Sequence, residues 1–98
     1  MNIAKEIGRS ALLEQLGEES CELGQAALKA ARKMRGDNPT PKTEQEIVDH
    51  FVEEAADVLC CLAALVDDGF VTTEAIDSVR IVKYDRWKKR ITEAKVKE

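Results

Sequence analysis

Apolar residues recur along this chain at steps of three and four, the spacing that lines one face of an α-helix. The first long stripe reads Leu12, Leu16, Glu19, Leu23, Ala26, Ala30, and the second reads Ile47, Phe51, Glu54, Val58, Cys61, Leu65. Each stripe is apolar except at one position, where a carboxylate holds a slot that folding alone would give to a hydrocarbon. An unpaired carboxylate in such a slot is costly, so it must be protonated, paired or bound to a cation.

The pattern predicts the elements. Residues 1–9 have helical composition with Gly8 as a breaker, giving a short lead-in helix or arm. Ser10 is a suitable N-cap, and helical spacing continues through Leu28 and Met34 to a stop at Arg35-Gly36. Lys29, Arg32, Lys33 and Arg35 crowd the last turns, where the helix macrodipole favours cations. Gly17 and Gly24 flank the acidic stretch and are consistent with close approach of another backbone. Gly36 to Lys42, with Asp37, Asn38, Pro39 and Pro41, reads as a loop. Thr43 and Glu46 form a TxxE capping box that opens a second helix running to Asp67 or Asp68 before Gly69. Thr72 or Thr73 caps a third helix, with Ala75, Ile76, Val79 and Val82 turned inward and a fraying charged tail from Glu93 to Glu98. There is no internal repeat and no low-complexity segment.

Val58 to Val66 is apolar on all sides, which a helix with one solvated face does not tolerate. In a chain with three substantial helices, its full burial is easiest under a second subunit. The expected fold is therefore all-α, a helical hairpin plus a third helix. Two such hairpins would pair into a four-helix core through dimerisation, as a homodimer or homotetramer.

Composition narrows the function. At 98 residues the chain is read as one domain with a limited core, near the size where burial against a partner helps. A net charge of -4 argues against general affinity for nucleic acid, and the few aromatics (two Phe, one Tyr, one Trp) argue against a base-stacking platform. Cys21, Cys60 and Cys61 fit reduced packing residues better than a disulfide framework or a zinc motif, which points to the cytoplasm. The amino end has no apolar core of a leader, and Val58 to Val66 is too short to span a bilayer, so no membrane association is expected.

Three acids precede the rest. At about 100° per residue, Glu18, Glu19 and Glu22 project at roughly 0°, 100° and 40°, within one arc of their helix. Asp57 follows Glu54 by one turn on the same face. If the two helices pack, four or five carboxylates meet in one partly desolvated place, and their repulsion calls for a divalent cation. The plainer alternative is a solvated acidic face with Gln15 and Gln25 as neighbours. Against it, Glu14, Glu18 and Glu22 repel at four-residue steps with no Lys or Arg among them. His50, four residues before Glu54, could reach the site. It does not make a helical di-iron centre, which needs Glu three residues before His, because position 47 is Ile. Glu46, Asp49 and Glu53 read as exposed.

An EExxE (Glu18, Glu19, Glu22), a loop, an ExxD (Glu54, Asp57) and a basic third helix together resemble the MazG-like nucleotide pyrophosphohydrolases of the all-α NTP pyrophosphatase superfamily. The resemblance covers roughly residues 10–91, and Lys83-Tyr84-Asp85-Arg86-Trp87 is similar to the family's third-helix KxxRW pattern. Two departures are Asp85, where family members often carry Asn, and a long interval between the motifs around Pro39 and Pro41. The resemblance implies Mg2+, with Mn2+ as a substitute, held by Glu19, Glu22, Glu54 and Asp57, and Glu18 orienting or deprotonating water. It implies a nucleoside triphosphate substrate cut between the α and β phosphorus, with Lys83, Arg86 and Arg90 facing the phosphates and Trp87 a base. Within that chemistry a dCTPase- or dUTPase-like enzyme and a guanosine tetraphosphate hydrolase are alternatives. Outside it stands a noncatalytic helical dimerisation or regulatory module.

Overall fold

Every long helix that the apolar spacing predicts is present. The computed structural model describes residues 1–37 and 41–97, so Asn38 and Pro39 of the predicted loop and Glu98 of the tail lie outside the described residues. Four helices follow one another: α1 (Ile3–Ile7), α2 (Arg9–Arg35), α3 (Glu44–Asp67) and α4 (Thr73–Lys97). Among the described residues there is no strand, and no helix is long and apolar enough to cross a membrane.

The helix ends follow local chemistry. The Asn2 side chain accepts from the Lys5 N–H at 3.2 Å and caps α1. Gly8, at φ 93°, then breaks the chain in a region that an L side chain avoids. As a result α2 starts at Arg9, with Gly8 and not Ser10 at its N-cap position. Thr43 and Glu46 make both halves of the capping box, Thr43 Oγ accepting from the Glu46 N–H and Glu46 accepting from the Thr43 N–H, each at 3.1 Å. The backbone hydrogen bond from Thr43 holds the Glu46 carboxyl below its ordinary 4.5. Thr43→Ala is expected to lower stability by about 1 kcal/mol, as loss of an N-cap does, measured by urea unfolding with an unchanged m-value. Thr72, not Thr73, caps α4 by accepting from the Ala75 N–H at 3.1 Å. The tail stays helical through Lys97 instead of fraying from Glu93.

α2 and α3 pack as a hairpin, and α1 folds over the end where α2 begins and α3 stops. The core there is Ala4, Leu12, Cys61, Ala64 and Leu65, with Leu16 and Val71 against it; Ala26 and Ile47 are buried farther along. The segment Val58 to Val66 is covered on one side only. Cys61, Ala64 and Leu65 are buried, whereas Leu59 is 64% exposed and Cys60 and Ala63 are exposed. Cys21 is exposed too, so of the three thiols only Cys61 packs within the chain. Gly17 and Gly24 have open space where a Cβ would sit, so within the single chain no other element approaches them.

The largest departure is α4. None of its residues is buried, and Ala75, Ile76, Val79 and Val82 face solvent. Helical periodicity marks which face is apolar but does not supply a surface to cover it. The molecule is a flat, two-armed body of 50 × 39 × 18 Å. At the junction of its arms, Arg9 Nε donates to Asp68 Oδ2 at 2.6 Å. Its guanidinium also lies 5.2 Å from the centre of the Phe70 ring.

Candidate metal centre

α2 and α3 carry the acids, and the hairpin brings them together from both sides. Glu19, Glu22 and Glu54 each offer a carboxylate oxygen within 4.8 Å of the other two. Glu19 and Glu54 occupy the apolar stripes, so packing of those stripes draws them inward and leaves both only partly exposed. Glu22, one turn beyond Glu19 on α2, reaches the cluster from an exposed position. Gln15 Nε2 donates to Glu19 Oε1 at 2.7 Å, and His50 Nδ1 lies 3.8 Å from Glu54 Oε1.

Among the described residues, two buried side-chain oxygens have no hydrogen-bond partner. Glu19 Oε2 and Glu54 Oε2 are shut off from solvent and accept no hydrogen bond. An ionised carboxylate oxygen deprived of both water and a donor is unfavourable, and each of these two carries that cost. Desolvation pushes the Glu19 carboxyl above its ordinary 4.5, the hydrogen bond from Gln15 opposes this, and the charges of Glu22 and Asp57 add to the rise. Cys61, on the same stripe as Glu54, has its thiol pushed up by burial first and by the Glu19 charge second. Spacing alone marks Cys61 as a packing residue; its place two turns from Glu54 on one stripe is the signal that it borders the acids.

The other expected site residues fall in different places. Asp57 is exposed and acts on Glu19 through its charge, but it is outside the group of three converging oxygens. Glu18 is exposed on α2 and also outside that group. Lys83, Arg86, Trp87 and Arg90 share with Ile76 and Tyr84 an open depression of about 610 Å³ along α4. Because α4 is not packed against the hairpin, the single chain does not bring that basic face onto the carboxylates. Glu46 and Asp49 are exposed, as expected, and so is Glu53.

A hard divalent cation fits this donor set. Mg2+ prefers oxygen ligands and keeps several waters, and an ion shared by Glu19, Glu22 and Glu54 would give these crowded, partly desolvated carboxylates a counter-charge. The pH dependence follows with a definite sign. A carboxyl whose pKa rises on folding destabilises the metal-free fold at pH above its raised value, and this cost disappears as pH falls toward 4.5. In chelator, wild type is therefore expected to lose stability relative to Glu19→Gln as pH climbs from 4.5 to neutrality. If Mg2+ binds there, the ordering is expected to reverse near neutrality, where wild type keeps a ligand oxygen that Glu19→Gln lacks and few protons compete for it. Thermal unfolding of both proteins across that range, with and without chelator, checks it.

What the fold and site define is an all-α chain whose helical hairpin encloses converging carboxylates. Comparison with protein-family models, with curated proteins and with solved structures finds no match.

Proposed function

We propose that this protein is a Mg2+-dependent nucleoside triphosphate pyrophosphohydrolase, hydrolysing NTP or dNTP to the monophosphate and pyrophosphate as nucleotide-pool housecleaning. The observation that carries the reading is that Glu19 and Glu54, from two helices, each hold an occluded oxygen without a partner and each bring a carboxylate oxygen within 4.8 Å of the other and of Glu22. Their positions coincide with the EExxE and ExxD motifs, so the geometry and the resemblance converge on the same residues.

Glu19, Glu22 and Glu54 would hold the ion, with Asp57 one turn from Glu54 adding charge and a further ligand. A bound Mg2+ supplies neutralisation of phosphate charge and a water of lowered pKa. Glu18, exposed beside Glu19 and outside the converging group, is free to accept the proton from the attacking water. Lys83, Arg86 and Arg90 lie on one face of α4 and offer counter-charge to the phosphates. Trp87 offers a surface for a base. Assembly as a homodimer or homotetramer covers the exposed flank of α3 at Leu59 and gives α4 a surface to pack on.

A panel of nucleoside triphosphates assayed for pyrophosphate with Mg2+ or Mn2+ tests the reading. Release from at least one of them is expected, together with loss of release in chelator. One observation favours a second reading, a noncatalytic dimerisation or regulatory module: the basic face of α4 stands apart from the acids. Absence of pyrophosphate from every triphosphate with either metal would decide for that module.

A further inference from the structure

The charges at Arg9 and Asp68 both oppose the helix that carries them. Arg9 is the first residue of α2, whose first turn holds no acid, and Asp68 caps α3, whose last turn holds no base. A cation at a helix start and an anion at a helix end are each disfavoured by the macrodipole. Helix formation therefore does not account for either residue, and a violation of local preference at two facing positions calls for a tertiary reason.

Their contacts supply one. Besides the ion pair, Arg9 Nη2 donates to the Asp68 backbone oxygen at 3.4 Å, and the guanidinium covers the Phe70 ring. The Asp68 side chain is only 13% exposed. Gly69, at φ 80°, turns the chain between Asp68 and Phe70. Backbone hydrogen bonds from the Gly69 N–H to Val66 O at 2.9 Å and from the Phe70 N–H to Leu65 O at 3.1 Å close the turn on α3. The Arg9 contacts tie it to the start of α2, and Val71 packs on the core, while no residue of α4 is buried.

We propose that Arg9 is a positioning latch: by gripping Asp68 and Phe70 it fixes the angle at which α4 leaves the hairpin, and so presets the surface that receives a second copy of this chain. The latch stands on the contacts alone; its consequence for assembly rests on the oligomer proposed above. A second copy suits the surface by charge and shape. α3 carries seven acids and no Lys or Arg, whereas α4 carries eight basic residues against four acids. Between the arms lies an apolar cleft lined by Leu59, Leu62, Ala63, Val66 and Ile76. Its width depends on the angle that Arg9 sets.

The test uses the full chain with dyes at Ala27→Cys and Lys89→Cys, in a Cys21→Ser, Cys60→Ser background. Single-molecule energy transfer at picomolar concentration reads the angle in separated chains. Arg9→Ala is expected to broaden and shift the transfer distribution while the helical CD signal is retained. The exchanged pair, Arg9→Asp with Asp68→Arg, restores it, because both charges then also agree with their helices. An unchanged distribution in Arg9→Ala overturns the latch. Sedimentation equilibrium reads the consequence: self-association is expected to weaken several-fold in Arg9→Ala and to recover in the exchanged pair. Equal association of wild type and Arg9→Ala overturns the link to assembly. A wild type that stays monomeric overturns the oligomer itself, and the fluorescence result still decides the latch.

Discussion

Glu54→Ala, alone or with Glu19→Ala, is expected to reduce pyrophosphate release by more than about 100-fold while leaving the helical CD signal intact. The magnitude follows from position. Groups that merely orient a metal ligand cost about 10–100-fold when removed, and these two carboxylates would be ligands. The same substitutions are expected to separate metal binding from folding. At 100 times its dissociation constant, an ion bound only by the folded chain stabilises it by about 2.7 kcal/mol. In a domain of this size that corresponds to a rise of roughly 10–20 °C in unfolding temperature. Wild type should show that rise with Mg2+ and Glu54→Ala should not. In chelator the order changes: Glu54→Gln keeps the shape of the side chain and removes one charge from the cluster, so it unfolds at or above the wild-type temperature. If Mg2+ shifts wild type and Glu54→Ala equally, the ion is bound elsewhere and the catalytic reading fails with it.

Leu65→Ala is expected to cost about 2–5 kcal/mol, the range for deleting a buried leucine. Leu65, on α3, is 2% exposed and belongs to the core cluster with Ala4 of α1 and Leu12 of α2. Few residues share that core, so little can move to close the cavity. A domain stability of about 5–15 kcal/mol makes such a loss a large fraction of the whole. Urea unfolding measures it directly. Leu59→Ala, six residues earlier on α3, is the contrast. Its side chain is 64% exposed, so in a separated chain it changes stability by no more than about 0.5 kcal/mol. In an assembled protein the same change weakens self-association, and comparison of the two variants by sedimentation and unfolding separates core from interface.

Much of the molecule was legible from spacing alone. The ends of α2 near Gly36 and of α3 near Asp67, the capping box at Thr43 and Glu46, and the intrusion of Glu19 and Glu54 into apolar stripes all stand where the pattern put them. Helix formation, capping and amphipathic periodicity are short-range properties, settled within a few residues. Glu22 also joined the group because one helical turn separates it from Glu19. The exception at short range is Ser10, which yields its place as cap to Gly8, where the φ of 93° ends α1 and opens α2. Pattern and structure differ where the outcome depends on a distant surface. Within the single chain the glycines at 17 and 24 meet no other element, and Ala75, Ile76, Val79 and Val82 meet no core.

By itself, the sequence determined that this protein is helical, where α2 stops and α3 starts and stops, and that one acid from each hairpin arm would be drawn off the surface. Only the tertiary structure decided that Glu19, Glu22 and Glu54 converge, leaving Asp57 and Glu18 at the margin, and that α4 with Lys83, Arg86 and Arg90 stands clear of them. The reason is one of range: the rotation of a residue about its own helix is set by its neighbours in sequence, whereas the distance between side chains on different helices is set by how those helices pack. The pairing of Arg9 with Asp68 across 59 residues belongs to the second kind.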